Sequence, residues 1–148
     1  MSLLAAVYDA LQAQVYAADT GAGGLNKSDS AAYVREWIRI GSPTYVPDRT
    51  GARPTVMTEV IDSPDHSFSN YGTLLTVRFH VVTIRDIAFT DATAILARLY
   101  TRTQGVTLTD PNGTGWTFNP MQWQRDGLET QTPSQLYHVC EVALIADK

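Results

Sequence analysis

Three histidines, one cysteine and a pair of aspartates are the side chains with which this chain could do chemistry. Asp62-Ser-Pro-Asp65-His66 brings two carboxylates and an imidazole together around a proline turn. Such a set can begin a divalent-cation site, but coordination needs further oxygen or nitrogen ligands, and none follows nearby. The expectation is a solvated turn with no metal. His66, His80, His138 and Cys140 invite a nucleophile-and-base reading. That chemistry requires a base held against a nucleophile and oriented by an acid, and the sequence spacing assembles no such trio. His80 and His138 fall in strand-like runs and are expected on the polar face of a sheet, facing each other if those strands pair. Cys140 sits in an apolar alternating run, as a small buried hydrophobe would, and a lone cysteine closes no intrachain disulfide. No catalytic residue and no enzymatic activity are expected.

Gly21-Ala-Gly-Gly-Leu-Asn26-Lys27-Ser28 approaches a phosphate-binding loop. That motif needs a glycine before the lysine, so that backbone amides can wrap a phosphate, and it must follow a strand. Here Asn26 takes the glycine's place and the preceding segment reads as a helix. No nucleotide or other cofactor is expected.

Bulk properties narrow the classes further. At 148 residues the chain is the size of one domain and long enough to bury a core. The 11 Lys and Arg against 15 Asp and Glu give a net charge of −4, unsuited to affinity built on phosphate neutralisation. Trp37, Trp116, Trp123 and seven tyrosines therefore suit a core or protein interface better than base stacking. The first residues read as an amphipathic helix without a basic leader, and no apolar run reaches the ~20 residues of a membrane span. The expectation is a protein of the reducing cytoplasm.

The elements that must carry these residues are legible from periodicity. Ser2 can cap a helix bearing Leu4, Val7, Tyr8, Leu11 and Val15 at spacings of three and four. That helix should end by Thr20-Gly-Ala-Gly-Gly24, opening a flexible loop over 18–32. Tyr33–Ile40 favours a strand with Val34, Ile38 and Ile40 on its apolar face. Thr55–Ile61 is β-branched and strand-like. From Gly72 to Arg85 the chain alternates: Leu75, Val77, Phe79 and Val81 share one face, Thr76, Arg78 and His80 the other. Thr90 is placed to cap a following helix with the stripe Ala92, Ile95, Leu96 and Leu99. Val106–Thr109 and Trp116–Phe118 flank Asp110-Pro-Asn-Gly113 as a hairpin, with Met121–Arg125 continuing its second arm. Residues 126–134 read as a polar loop, and Leu136–Ala146 as the last strand. The resulting class is α+β: a mainly antiparallel sheet with two helices packed on one face, in a single domain spanning 1–148. Leu11, Val77, Phe79, Ile95, Leu96, Leu99, Val142 and Leu144 are the expected core.

This order resembles the tail-terminator, or tail-completion, proteins of long-tailed phages and gene-transfer particles. The opening helix Met1-Ser-Leu-Leu-Ala-Ala-Val-Tyr-Asp-Ala-Leu11 carries part of the resemblance, with the proline-led strand Pro54-Thr-Val-Met-Thr-Glu-Val60. Leu75-Thr-Val-Arg-Phe-His-Val-Val82, the helix from Asp91 to Tyr100 and the closing strand Tyr137-His-Val-Cys-Glu-Val-Ala-Leu144 carry the rest. The likeness spans most of 1–17 and 53–146, whereas Gly21–Gly51 is longer than the family's loop there. The resemblance implies a structural virion protein: a homohexameric ring capping the head-proximal end of the tail tube. Such a ring stops tube growth and offers the head-tail connector, or neck protein, a docking surface. Its partners would be other copies of itself, the tail tube protein and the connector, with DNA passing through the lumen unbound and no membrane involved. It would be found in the virion, after assembly in the host cytoplasm. The competing readings are another neck or head-closure connector, a tail-tube subunit, a small hydrolase using His66 or Cys140, and a stand-alone binding module. For an assembly protein the polar stretches 62–71 and 125–134 are the expected contact loops, with His66, Tyr71 and Arg125 as interface residues.

Overall fold

A computed structural model describes residues 3–17, 23–26, 32–34, 36–40, 54–62, 72–131 and 135–147. The fold is α+β, a mainly antiparallel sheet with helices α1 (Leu3–Leu11) and α2 (Arg85–Thr103). The strands are β1 (Glu36–Arg39), β2 (Thr55–Asp62), β3 (Thr73–Ile84), β4 (Thr117–Phe118), β5 (Gln122–Gln131) and β6 (Gln135–Asp147). Their order is β1-β2-β3-β6-β4, with β5 also paired to β6. Among the described residues only the β1–β2 pair is parallel.

The 12-residue β3 and 13-residue β6 form the spine. Their register sets Leu75 against Leu144, Val77 against Val142, Phe79 against Cys140 and Val81 against His138, all facing the helices. Val56 and Val60 of β2 extend this face opposite Val81 and Val77. Alternation in β3 thus translates directly into one buried face, because the side-chain period of a strand is two. Leu11, Val77, Phe79, Ile95, Leu99, Val142 and Leu144 are buried as expected, and Leu96 is half-buried against them.

Helix α1 buries Val7 and Leu11, and Val15 continues the line at the same spacing of four. Leu4, expected on that stripe, is 42% exposed, and Ala6 and Ala10 are buried instead. At Gln12–Tyr16 the helix widens into a π-turn, closed by the Ala17 amide on the Gln12 carbonyl at 2.8 Å. A widened final turn leaves carbonyls without helical donors. Arg102, itself buried, fills this need from α2 with two bonds to the Gln14 carbonyl, at 3.0 and 2.8 Å. The amides of Leu25 and Asn26 take the Val15 and Tyr16 carbonyls.

Four sequence expectations are corrected. Helix α2 starts at Arg85, directly after β3, so Thr90 lies inside it and does not cap it. No glycine or proline separates Ile84 from Thr90, so nothing in the chain forces a loop there. In β1 the helix-facing side chain is Trp37, which stacks on Tyr16 at 5.4 Å and meets Phe79 at 6.0 Å. Ile38, expected on the apolar face, stands opposite Met57 on the other side. The arms around Asp110 form no ladder with each other. Instead β4 pairs with the end of β6, while Val106 bonds back to Met121. The turn itself is built as read: Asp110 accepts the amides of Asn112 and Thr114 at 3.0 and 2.7 Å. Finally, Gln122–Gln131 is a ten-residue strand, not the continuation of a hairpin arm followed by a loop. Its polar sequence lacks alternation, and backbone pairing with β6 makes it a strand.

Candidate functional site

The face of the sheet opposite α1 and α2, which carries no helix among the described residues, bears a row of charges of alternating sign. Register aligns Glu59 of β2 with Arg78 of β3, Arg78 with Glu141 of β6, and Glu141 with Arg125 of β5. Arg78 donates to Glu141 Oε1 from Nε at 3.0 Å, and Arg125 Nη2 donates to the same oxygen at 3.0 Å. Arg78 Nη1 lies 3.9 Å from Glu59 Oε2. The hydrogen bond from Arg125, helped by Arg78, holds the Glu141 carboxyl below its usual range. Each pair is partly exposed and stabilises weakly, at roughly 0.2–1 kcal/mol. Their joint effect is geometric: four strands carry one neutral row.

Beside the row, Glu59, His80 and Tyr137 form a chain of hydrogen bonds. His80 Nε2 meets Glu59 Oε2 at 2.9 Å, and His80 Nδ1 meets the Tyr137 hydroxyl. With Nε2 protonated and donating to Glu59, Nδ1 accepts from the phenol, so one neutral tautomer satisfies both contacts. The order acid–imidazole–hydroxyl matches the orienting logic of a nucleophilic trio. Here it links β2, β3 and β6 across the sheet surface. Sequence reading missed this cluster because its members lie far apart in the chain. The one available signal was that Glu59 and His80 each fall on the polar face of their strands.

The structure separates the two histidines that sequence reading placed face to face. Both lie on paired strands, but His80 stands opposite Val139 and His138 opposite Val81. Adjacent positions on a strand point to opposite faces, so His138 is on the helix side. It is buried, with Nδ1 unpartnered among the described residues. Burial lowers its pKa from the ordinary 6.5, and the Asp126 carboxylate opposes that shift. A folded pKa below the unfolded one means that folding disfavours proton uptake. The stabilising contribution is therefore complete above about pH 6.5 and declines as pH falls towards the folded pKa. Urea titrations from pH 7.5 to 5 should show falling stability, with the slope reduced in His138→Phe. An unchanged slope in that variant would remove His138 as its source.

Cys140 is buried against Phe79 in the register, and burial pushes its thiol up to about 12. Thiolate is the reacting form, so the native chain should resist a thiol-reactive disulfide reagent at pH 8 and react fully once denatured. Stoichiometric modification of the native protein within minutes would contradict this burial.

Of the expected interface residues, His66 and Tyr71 lie outside the described residues. Arg125 is on β5, half-exposed and bonded to Glu141, a place in a strand where a loop was expected. Within the glycine-rich stretch, the amides of Leu25 and Asn26 are spent on Val15 and Tyr16, and Arg98 holds the Gly23 carbonyl at 2.9 Å. Those amides cannot wrap a phosphate. Lys27, Ser28, Asp65 and His66 of the two ligand-like motifs also lie outside the described residues. Tyr100 and Trp123 meet edge to face at 5.4 Å where α2 crosses β5, with Tyr100 49% exposed.

Comparison of the sequence with known protein families finds no match, and comparison with curated proteins finds none. Solved structures share the fold. One, a protein of unstated function, is 12% identical with a TM-score of 0.63, over 100% of this chain and 97% of the other. Another is a chain from the virion of a native gene transfer agent (GTA) particle. It is 18% identical with a TM-score of 0.61, over 99% of this chain and 96% of its own length.

Proposed function

We propose that this chain is a structural, non-catalytic subunit of a phage-like particle. Within that class we assign it the role of tail terminator, a ring that caps the head-proximal end of the tail tube. The observation that carries the reading is the end-to-end likeness to a chain of a gene transfer agent virion, covering 99% of one and 96% of the other. It agrees with the independent sequence resemblance to tail-completion proteins. Physical features fit the role. The helix-free face is rigidly cross-linked by Glu59, Arg78, His80, Tyr137 and Glu141. Its charge row is neutral, so it would not trap DNA moving past it. A ring of six copies would take the tube protein on one side and the connector on the other, without cofactor or metal.

Electron microscopy of the purified full-length protein tests the proposal. Six-fold rings, single or paired, are the expected result. Tubes of indefinite length would make it a tube subunit instead. A monomer that also fails to bind preassembled tail tubes would remove the ring reading.

A further inference from the structure

Both lateral edges of the sheet end in strands that ladder on one side among the described residues: β1 pairs with β2 alone, and β5 with β6 alone, although the Trp123 amide of β5 already donates to the Gln104 side chain at 2.7 Å. An open edge presents a row of backbone donors and acceptors that another strand can pair. β5 offers ten residues without proline or lysine, and its two bulges are the devices in it that limit how much of the edge a neighbour could pair. Two of the three large apolar side chains exposed among the described residues flank this edge, Leu128 at 50% and Tyr100 at 49%. The third, Leu4 at 42%, is on α1, which packs near β2 at the opposite side.

Following strand directions from β1 through β2, β3 and β6 leaves β5 antiparallel to β1. Two copies in the same orientation, side by side, would therefore meet in the commoner antiparallel sense. Charge agrees: Arg125 stands at one edge and Glu36 at the other, both on the helix-free face by register with Glu141 and Thr55. Glu36 sits two rows along the sheet from Arg125, an offset of the kind that closed sheets require between first and last strands. A contact between two different patches of identical copies is head-to-tail, and it closes a ring when the rotation allows.

We infer that the β5 edge, with its Tyr100 and Leu128 flank, docks the β1 edge of a second copy of this chain. The sheet then runs on from subunit to subunit. This rests on the ring reading above and adds to it the surface that closes the ring.

The test is proximity cross-linking of the full-length chain with a short bis-maleimide. Glu36→Cys and Arg125→Cys are made singly and together, and melting curves confirm folding. Gln124→Cys with Ile38→Cys serves as a second pair. The native mass of each untreated protein is measured in parallel. The double variant should give a ladder of covalent multimers ending in one closed species. Each single variant should stay monomeric on a denaturing gel, and an equal mixture of the two should stop at dimers. Buried Cys140 should contribute no cross-link. Untreated rings with no ladder from either pair would overturn the edge contact while leaving the ring reading intact. Dimers from Arg125→Cys alone would show β5 meeting β5 and also overturn it. Untreated monomers that also fail to bind preassembled tail tubes would bring down the ring reading, and this inference with it; monomers that bind tubes but give no ladder there would overturn the edge contact alone.

Discussion

Phe79→Ala should lower stability by about 3–5 kcal/mol, the range for removing a fully buried aromatic side chain. Phe79 is 0% exposed at the middle of β3. It stands between Thr58 and Cys140 in the register, with the Trp37 ring tilted against it at 6.0 Å. Its ring therefore joins three layers of contact: the strands beside it, β1 beyond β2, and the helices above. Truncation leaves a cavity that β3, held by twelve register pairs on one side, cannot collapse to fill. Against a total of about 5–15 kcal/mol, such a loss should lower the melting temperature by roughly 6–20 °C. Tyr100→Ala is the control. It removes an aromatic contact at a half-exposed site and should cost no more than about 1.5 kcal/mol. Urea denaturation of both variants reads the difference. A Phe79 loss below about 1 kcal/mol would show that this face of β3 is not the core.

Gly72→Ala should be the second most damaging change, and Gly105→Ala shows why. Both glycines have left-handed backbone, with φ of 93° and 72°. Forcing an alanine there costs about 1–2 kcal/mol at either site. At Gly105 a Cβ would meet nothing within 4 Å. At Gly72 it would collide with the backbone carbonyl of Ala146 on β6. That carbonyl cannot swing aside without disturbing the end of the β3–β6 ladder, where Thr73 stands opposite Ala146. Overpacking of this kind adds about 1–3 kcal/mol, so the Gly72 loss should be about double that of Gly105. Equal losses at the two positions would mean that β6 yields and the close approach imposes no constraint.

How far the sequence could be read differs from element to element. The two longest strands were legible because β3 and β6 each bury one whole face, which writes a period of two into the chain. β5 was not. Its first seven residues, 122–128, bury little of their own surface, so burial wrote no alternation into them, and the strand character comes from β6 alongside. The helix stripe around Ile95 and Leu99 was legible for the same reason as β3, while the start of α2 at Arg85 was not. Leu4 shows the limit even in a periodic helix: its spacing fits the stripe, yet it is 42% exposed while Ala6 and Ala10 are buried.

The candidate site divides along the same line. That Arg78 and His80 share the polar face of β3 follows from local alternation alone. That Glu59, Arg78, Glu141 and Arg125 form one row follows only from pairing and register across four strands. The sequence carried each charge but not its neighbours, because cross-strand partners are selected by long-range pairing and carry no local period. His138 makes the point in reverse: its run announced a strand, and the register with Val81 alone placed it under the helices, apart from His80. Class and core were thus determined by residue type and local spacing. Which charges meet, which imidazole is buried and which strands lie at the sheet edges were decided by the tertiary fold, since a one-residue change of register would exchange the two faces of the sheet.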